Sequence, residues 1–148
     1  MTTSATEALA EKKTLTNISM DDFVTGWIAA LASLGVTTVR MESPRFYRAA
    51  VKAYEKFAQL CEQQGYRPQF VIWQTKYYGD APDFRNAIYR ATARDLVSLD
   101  NPDFVNMRLK YTRDTAGYLF RYLSGGEDLY LPVAEAFRSE YHSTPTVD

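Results

Sequence analysis

Residues 102–123 read PDFVNMRLKYTRDTAGYLFRYL, and the period assigned to this stretch decides the fold class. At 100° per residue, Val105, Leu109, Thr112, Ala116, Leu119 and Leu123 fall on one line. Their spacings of 4, 3, 4, 3 and 4 are those of a seam between packed helices. A second row holds Phe104, Met107, Tyr111, Thr115, Tyr118 and Tyr122. The remaining face carries Asn106, Lys110, Arg113, Gly117 and Arg121. Two apolar faces and a polar third predict a helix held between two neighbours, with one side in water.

The flanking sequence extends the same pattern. Towards the N-terminus, residues 82–99 predict a helix with Phe84, Ala87, Ile88 and Ala91 inward and a polar row of Asn86, Arg90 and Arg94. Towards the C-terminus, Gly125 and Gly126 stop the 102–123 helix, and another starts near Pro132 and runs to about Tyr141. The heptapeptides DAPDFRN at 80–86 and DNPDFVN at 100–106 echo each other. Both match generic helix-start chemistry, with Asp near the start and Pro in the first turn.

Residues 20–34 form the most apolar helix predicted. Ser19 suits its N-cap, Asp21 and Asp22 suit its positive end, and Gly35 its stop. No charge follows Asp22, so this helix is central or lies in an interface. Gly26, Ala29, Ala30 and Ser33 leave a small-residue face that admits close approach of another backbone. The next helix starts at Ser43 and Pro44 and ends at Gly65. Phe46, Ala50, Tyr54, Phe57 and Cys61 line its apolar side, and Arg45, Arg48, Lys52 and Lys56 its outer side.

Residues 68–79 are ambiguous. QFVIWQTKYY is rich in strand formers, while Pro68 and Gly79 frame a short helix with Phe70, Trp73 and Tyr77 on one side. Helix is the reading adopted. A two-stranded ribbon of residues 36–41 with 69–77 is the alternative. The expected architecture is therefore all-α, a compact bundle of five or six helices. A flexible lead covers residues 1–17, the helical domain 18–142, and a tail 143–148.

Composition narrows the function class. A chain of 148 residues suits one domain, and 46% hydrophobic with 14% aromatic residues argues against wholesale disorder. Cys61 is the single cysteine, which makes a reducing, cytoplasmic setting the default. The uncharged run 23–39 is too short and too polar to span a membrane. One histidine, His142, leaves no His cluster for metal binding or nucleophilic catalysis. No glycine-rich phosphate loop occurs, and the paired carboxylates all coincide with helix starts. These absences disfavour an enzyme, and no cofactor or metal is expected.

Net charge is −1 but unevenly placed: −2 over residues 1–39, +5 over 40–122 and −4 over 123–148. A basic middle with tyrosines beside arginines fits a non-enzymatic accessory protein that binds nucleic acid. Arg45, Arg48, Lys52, Lys56, Lys110, Arg113 and Arg121 would meet phosphates, and Tyr118 would stack a base. The competing reading is a protein-interaction or assembly module, including a homodimer, in which the arginines only solubilise.

Overall fold

A computed structural model of the chain describes residues 15–42, 44–76, 79–99 and 105–143. Among these are five helices and five strands. In order they are β1 (Thr16–Ile18), α1 (Met20–Ser33), β2 (Thr38–Arg40), α2 (Arg45–Gln64), β3 (Tyr66–Pro68), α3 (Pro82–Ala93), β4 (Val97–Ser98), β5 (Asn106–Leu109), α4 (Gly117–Phe120) and α5 (Gly126–Ser143). The fold is mixed α/β, which overturns the all-α helical bundle expected from the sequence.

Helix α1 starts as its sequence dictates. The Ser19 hydroxyl accepts a hydrogen bond from the Asp22 amide at 3.1 Å. At its end Gly35 has φ 85°, and the Gly35 and Val36 amides donate to Ala32 and Leu31 carbonyls. This is the paired closure that a left-handed glycine allows. Every residue from Phe23 to Ala32 is buried. Trp27 packs edge-on to Phe84 of α3 at 5.3 Å and Phe137 of α5 at 5.0 Å. Phe23 meets Phe57 of α2 at 4.8 Å. Rings from three helices thus close on one.

The small-residue face of α1 is filled inside the chain, by a ring and not by backbone. A Cβ placed on Gly26 would lie 2.4 Å from the Tyr130 ring of α5. Tyr130 also stacks on Phe57 at 5.8 Å. Its hydroxyl and the Trp27 indole Nε1 are buried without a partner among the described residues.

Residues 102–123 do not form one helix. The described part begins with Val105, and Asn106–Leu109 is a strand. β5 lies at the centre of an antiparallel sheet, with β2 on one side and β4 on the other. Met107 faces Val39 across the β2 pair, both buried, while Arg108 and Arg40 on the alternate positions are exposed. This is the period-two alternation of a half-buried strand. The Thr115 hydroxyl then accepts from the Thr112 amide at 2.8 Å, a local bond that competes with helix. Only Gly117–Phe120 is helical. Four alternating residues carry too little pattern to outscore a seam that runs on through 123.

Three other boundaries move. Helix α3 ends at Ala93, not Leu99, because Asp95 takes a left-handed φ of 65° and the Leu96 amide closes onto Ala91. Aspartate does there what glycine does at residue 35, so no glycine or proline marks the stop. Helix α5 begins at Gly126 and carries Pro132 inside it. Residues 71–75 are neither helix nor paired strand. The alternative ribbon of 36–41 with 69–77 does not form either: Thr38–Arg40 is a strand, but its partner is β5. β3 pairs instead with β1, in parallel. The Ser43 cap, Tyr77, Phe104 and the start of the second heptapeptide lie outside the described residues, as do residues 1–14 and 144–148.

Gly26→Ala should lower stability by about 1–3 kcal/mol, since the Tyr130 ring must move to admit a methyl. Tyr130→Phe removes only an unpartnered hydroxyl and should leave stability unchanged or raise it. Denaturant titration of both variants checks this. A stable Gly26→Ala would show that the ring is not wedged there.

Candidate functional site

The residues expected to bind nucleic acid separate in the folded chain. Arg48, Lys52 and Lys56 keep one outward face of α2, with Lys52 3.7 Å from Glu55. Arg45 does not join them. Its Nε donates to the Tyr141 carbonyl at 2.6 Å, and its guanidinium lies 4.2 Å from the Tyr141 ring centre. Lys110 pairs with Asp95 at 2.6 Å. Arg113 lies against Gly35, where a Cβ would meet its Nη2 at 2.7 Å. Arg121 sits over the Tyr118 ring at 5.3 Å, and Tyr118 is 58% exposed.

Among the described residues, no hydrogen bond, ion pair or ring contact links the α2 group to Lys110, Arg113 or Arg121. Helix α2 packs mainly on α5, whereas α4 packs on α1 and α5. The polar row of α3 is also engaged internally. Arg90 Nε donates to the Asp21 carboxylate at 2.9 Å. Arg94 donates to the Thr25 hydroxyl at 2.8 Å and to the Asp21 carbonyl at 3.3 Å. These cations fasten α3 to the first turns of α1.

A different surface emerges at Phe70–Gln74. Side chains alternate there: Phe70 half-buried, Val71 out, Ile72 in, Trp73 out, Gln74 half-buried. Val71 is 59% exposed and Trp73 58% exposed, while Ile72 is 3% exposed. The alternation is that of a strand, yet no backbone hydrogen bond engages an amide or carbonyl of Phe70–Gln74 among the described residues. Phe70 anchors the inner side, 5.3 Å from Phe23 and 5.9 Å from Phe57.

Both ends of this stretch are held. On the N-terminal side the Gln69 amide donates to the Ile18 carbonyl at 2.9 Å, and its side chain to Asn17 at 3.0 Å. On the C-terminal side the Thr75 amide donates to the Asp80 carbonyl at 2.7 Å and its hydroxyl to the Asp80 carboxylate at 2.5 Å. Arg85 Nη1 reaches the other Asp80 oxygen at 2.8 Å. Gln74 donates to the Pro44 and Gly79 carbonyls. The Thr75 bond, with Arg85 beside it, holds the Asp80 carboxyl below the usual carboxylate range. Burial pushes the neighbouring Tyr47 phenol up to about 12 although Arg85 opposes it.

Burial pushes the Cys61 thiol up to about 11, which keeps it protonated and unreactive. Among the described residues no three His, Cys, Asp or Glu are placed to hold a metal ion, and no helix is long and apolar enough to cross a membrane.

The signal for residues 70–74 was visible in their strand formers, but Pro68 and Gly79 outweighed it in the sequence reading. The clamps of Thr75, Asp80 and Arg85 carried no such signal. No protein-family model, curated protein or solved structure matches the chain. Its own geometry therefore carries the functional argument.

Because folding lowers the Asp80 pKa, Asp80 stabilises the fold above the ordinary aspartate pKa of about 3.9. That contribution is lost as pH falls through the lower, folded value. Asp80→Asn should therefore be less stable than wild type at pH 7, with a narrower gap at pH 3. Urea titrations at both pH values test it, and an equal gap would remove Asp80 from the acid response.

Proposed function

We propose that the chain is a non-enzymatic protein-interaction module that pairs an extended segment of a partner with residues 70–74. The observation that carries this reading is that no backbone hydrogen bond among the described residues engages Phe70–Gln74, which carries two exposed apolar side chains. Backbone groups of an unpaired strand template the addition of another strand. Alternate side chains then supply selectivity, and Val71 with Trp73 offers the apolar pair on the outer side. Tryptophan is among the residues that most often dominate an interface. The clamps at Gln69 and Thr75 support the reading too. A segment held at both ends loses less freedom on pairing than a loose loop does.

The partner chemistry that fits is an extended apolar stretch, from a second copy or from another protein. Nucleic-acid binding is the second reading, favoured by the exposed Tyr118–Arg121 pair and by Arg48 and Lys56 on α2. It has fewer free cations to draw on, since Arg45, Lys110 and the α3 arginines are engaged internally.

Peptides selected from a display library on the wild-type chain should share an alternating apolar pattern. They should lose about tenfold or more in affinity on Trp73→Lys, because a central Trp is typically worth roughly 2 kcal/mol or more. Amides of residues 70–74 should exchange quickly in the free chain and slowly in the complex. Light scattering separates a second copy from a different partner. Selected peptides indifferent to Trp73→Lys would overturn the reading. Salt-sensitive nucleic-acid binding abolished by Arg48→Glu with Lys56→Glu would replace it with the second.

A further inference from the structure

A second feature lies away from the 70–74 segment, where the C-terminal ends of α1 and α5 meet β2. The last turn of α1, the turn at Gly35–Thr37, β2 and the final turns of α5 line an open cavity of about 320 Å³. That is within the roughly 300–1,000 Å³ of small-molecule sites. Its apolar lining comes from Leu31, Leu34, Val36, Val39 and Phe137. Its polar lining comes chiefly from Arg138, Tyr141 and His142.

Arg138 and His142 stand four residues apart on α5, the spacing that puts two side chains on one helix face. Arg138 is half-buried and makes no ion pair or hydrogen bond among the described residues. None of the described lining residues is acidic. Arg113 adds a second guanidinium against Gly35, itself part of the lining. Between them, Tyr141 is immobilised. Its hydroxyl donates to the Arg40 carbonyl at 3.0 Å, its ring stacks on Phe137 at 5.6 Å, and Arg45 covers the ring. This part of the lining is therefore set before any ligand arrives.

A competing account is that these cations only answer the negative ends of two helix dipoles. Each helix end carries roughly half a negative charge, and the two together about one. Arg138 and Arg113 alone supply two positive charges, and the carbonyls ending α1 are already closed by Gly35 and Val36. The corner keeps a positive excess over an apolar floor.

We propose that this cavity binds a small organic anion, with an apolar body against Leu34, Val39 and Phe137 and its carboxylate or sulfonate held by Arg138 and His142. Partial desolvation beside the apolar floor strengthens that pairing relative to a surface ion pair.

The probe is 8-anilinonaphthalene-1-sulfonate, followed by its fluorescence and displaced by octanoate. The wild-type chain should bind one equivalent, and octanoate should compete fully. Arg138→Gln should weaken binding about tenfold or more, while Arg138→Lys keeps most of it. Thr37→Phe, at an exposed lining position, should block the cavity without unfolding the chain, as far-UV circular dichroism would verify. Trp73→Ser should leave probe binding intact, which also keeps this test apart from that of residues 70–74. Binding that survives both Arg138→Gln and Thr37→Phe, or that vanishes only with Trp73→Ser, overturns the proposal.

Discussion

Everything in this fold is arranged around the burial of one helix that carries no charge after Asp22. From Phe23 to Ala32, α1 offers no side to water, so each neighbour must bring apolar surface to a different face of it. Helix α5 supplies Tyr130 and Phe137, α3 supplies Phe84, and α2 supplies Phe46 and Phe57. A buried large side chain is worth roughly 1.5–3 kcal/mol, and aromatic pairs add about 0.5–1.5 kcal/mol beyond their area. Two polar atoms work against that gain, the unpartnered Trp27 Nε1 and Tyr130 hydroxyl. Gly26 is what lets Tyr130 lie so close, so the tightest contact of the core depends on a missing side chain.

The sequence was legible where local chemistry and packing agree. Ser19 and Gly35 bracket α1, and Gly65, with φ 82°, ends α2 where a glycine stop was expected. It misled where a residue did an unusual local job. Asp95 stops α3 in a backbone conformation that aspartate adopts less often than glycine. Pro132 sits inside α5, although a proline there normally announces a helix start. Residues 105–123 misled most, because a helical seam spaced 4 and 3 also contains the short alternation Asn106, Met107, Arg108, Leu109. Sheet partners decide between the two periods, and the partner β2 is distant in sequence.

The candidate site was less legible still, because a sequence counts charges and does not show who holds them. Arg45 looked like the first member of an outer stripe, yet its partner, Tyr141, lies 96 residues away. Arg90 and Arg94 looked solvated, yet they reach Asp21 and Thr25 on α1. His142 falls just past the helix expected to end near Tyr141, whereas it lies in the final turn of α5 beside a cavity. In each case the deciding contact is long-range, and no local pattern encodes it.

Among the described residues Phe70–Gln74 is unpaired for reasons within the chain. The β1–β3 pairing ends at Pro68, which has no amide to donate, and beyond it only the Gln69 amide still bonds across, to Ile18. On the other side the Thr75–Asp80 closure turns the backbone away before a hairpin partner can form. Burial of Phe70 and Ile72 then holds the stretch against the core. Such an edge invites uncontrolled pairing unless charge guards it. Arg67 and Lys76, both exposed, flank it on either side. Flanking cations repel a second identical edge in register while leaving the central residues open. Under the proposed interaction, that balance would favour a partner whose own flanks are neutral or acidic over indiscriminate self-association.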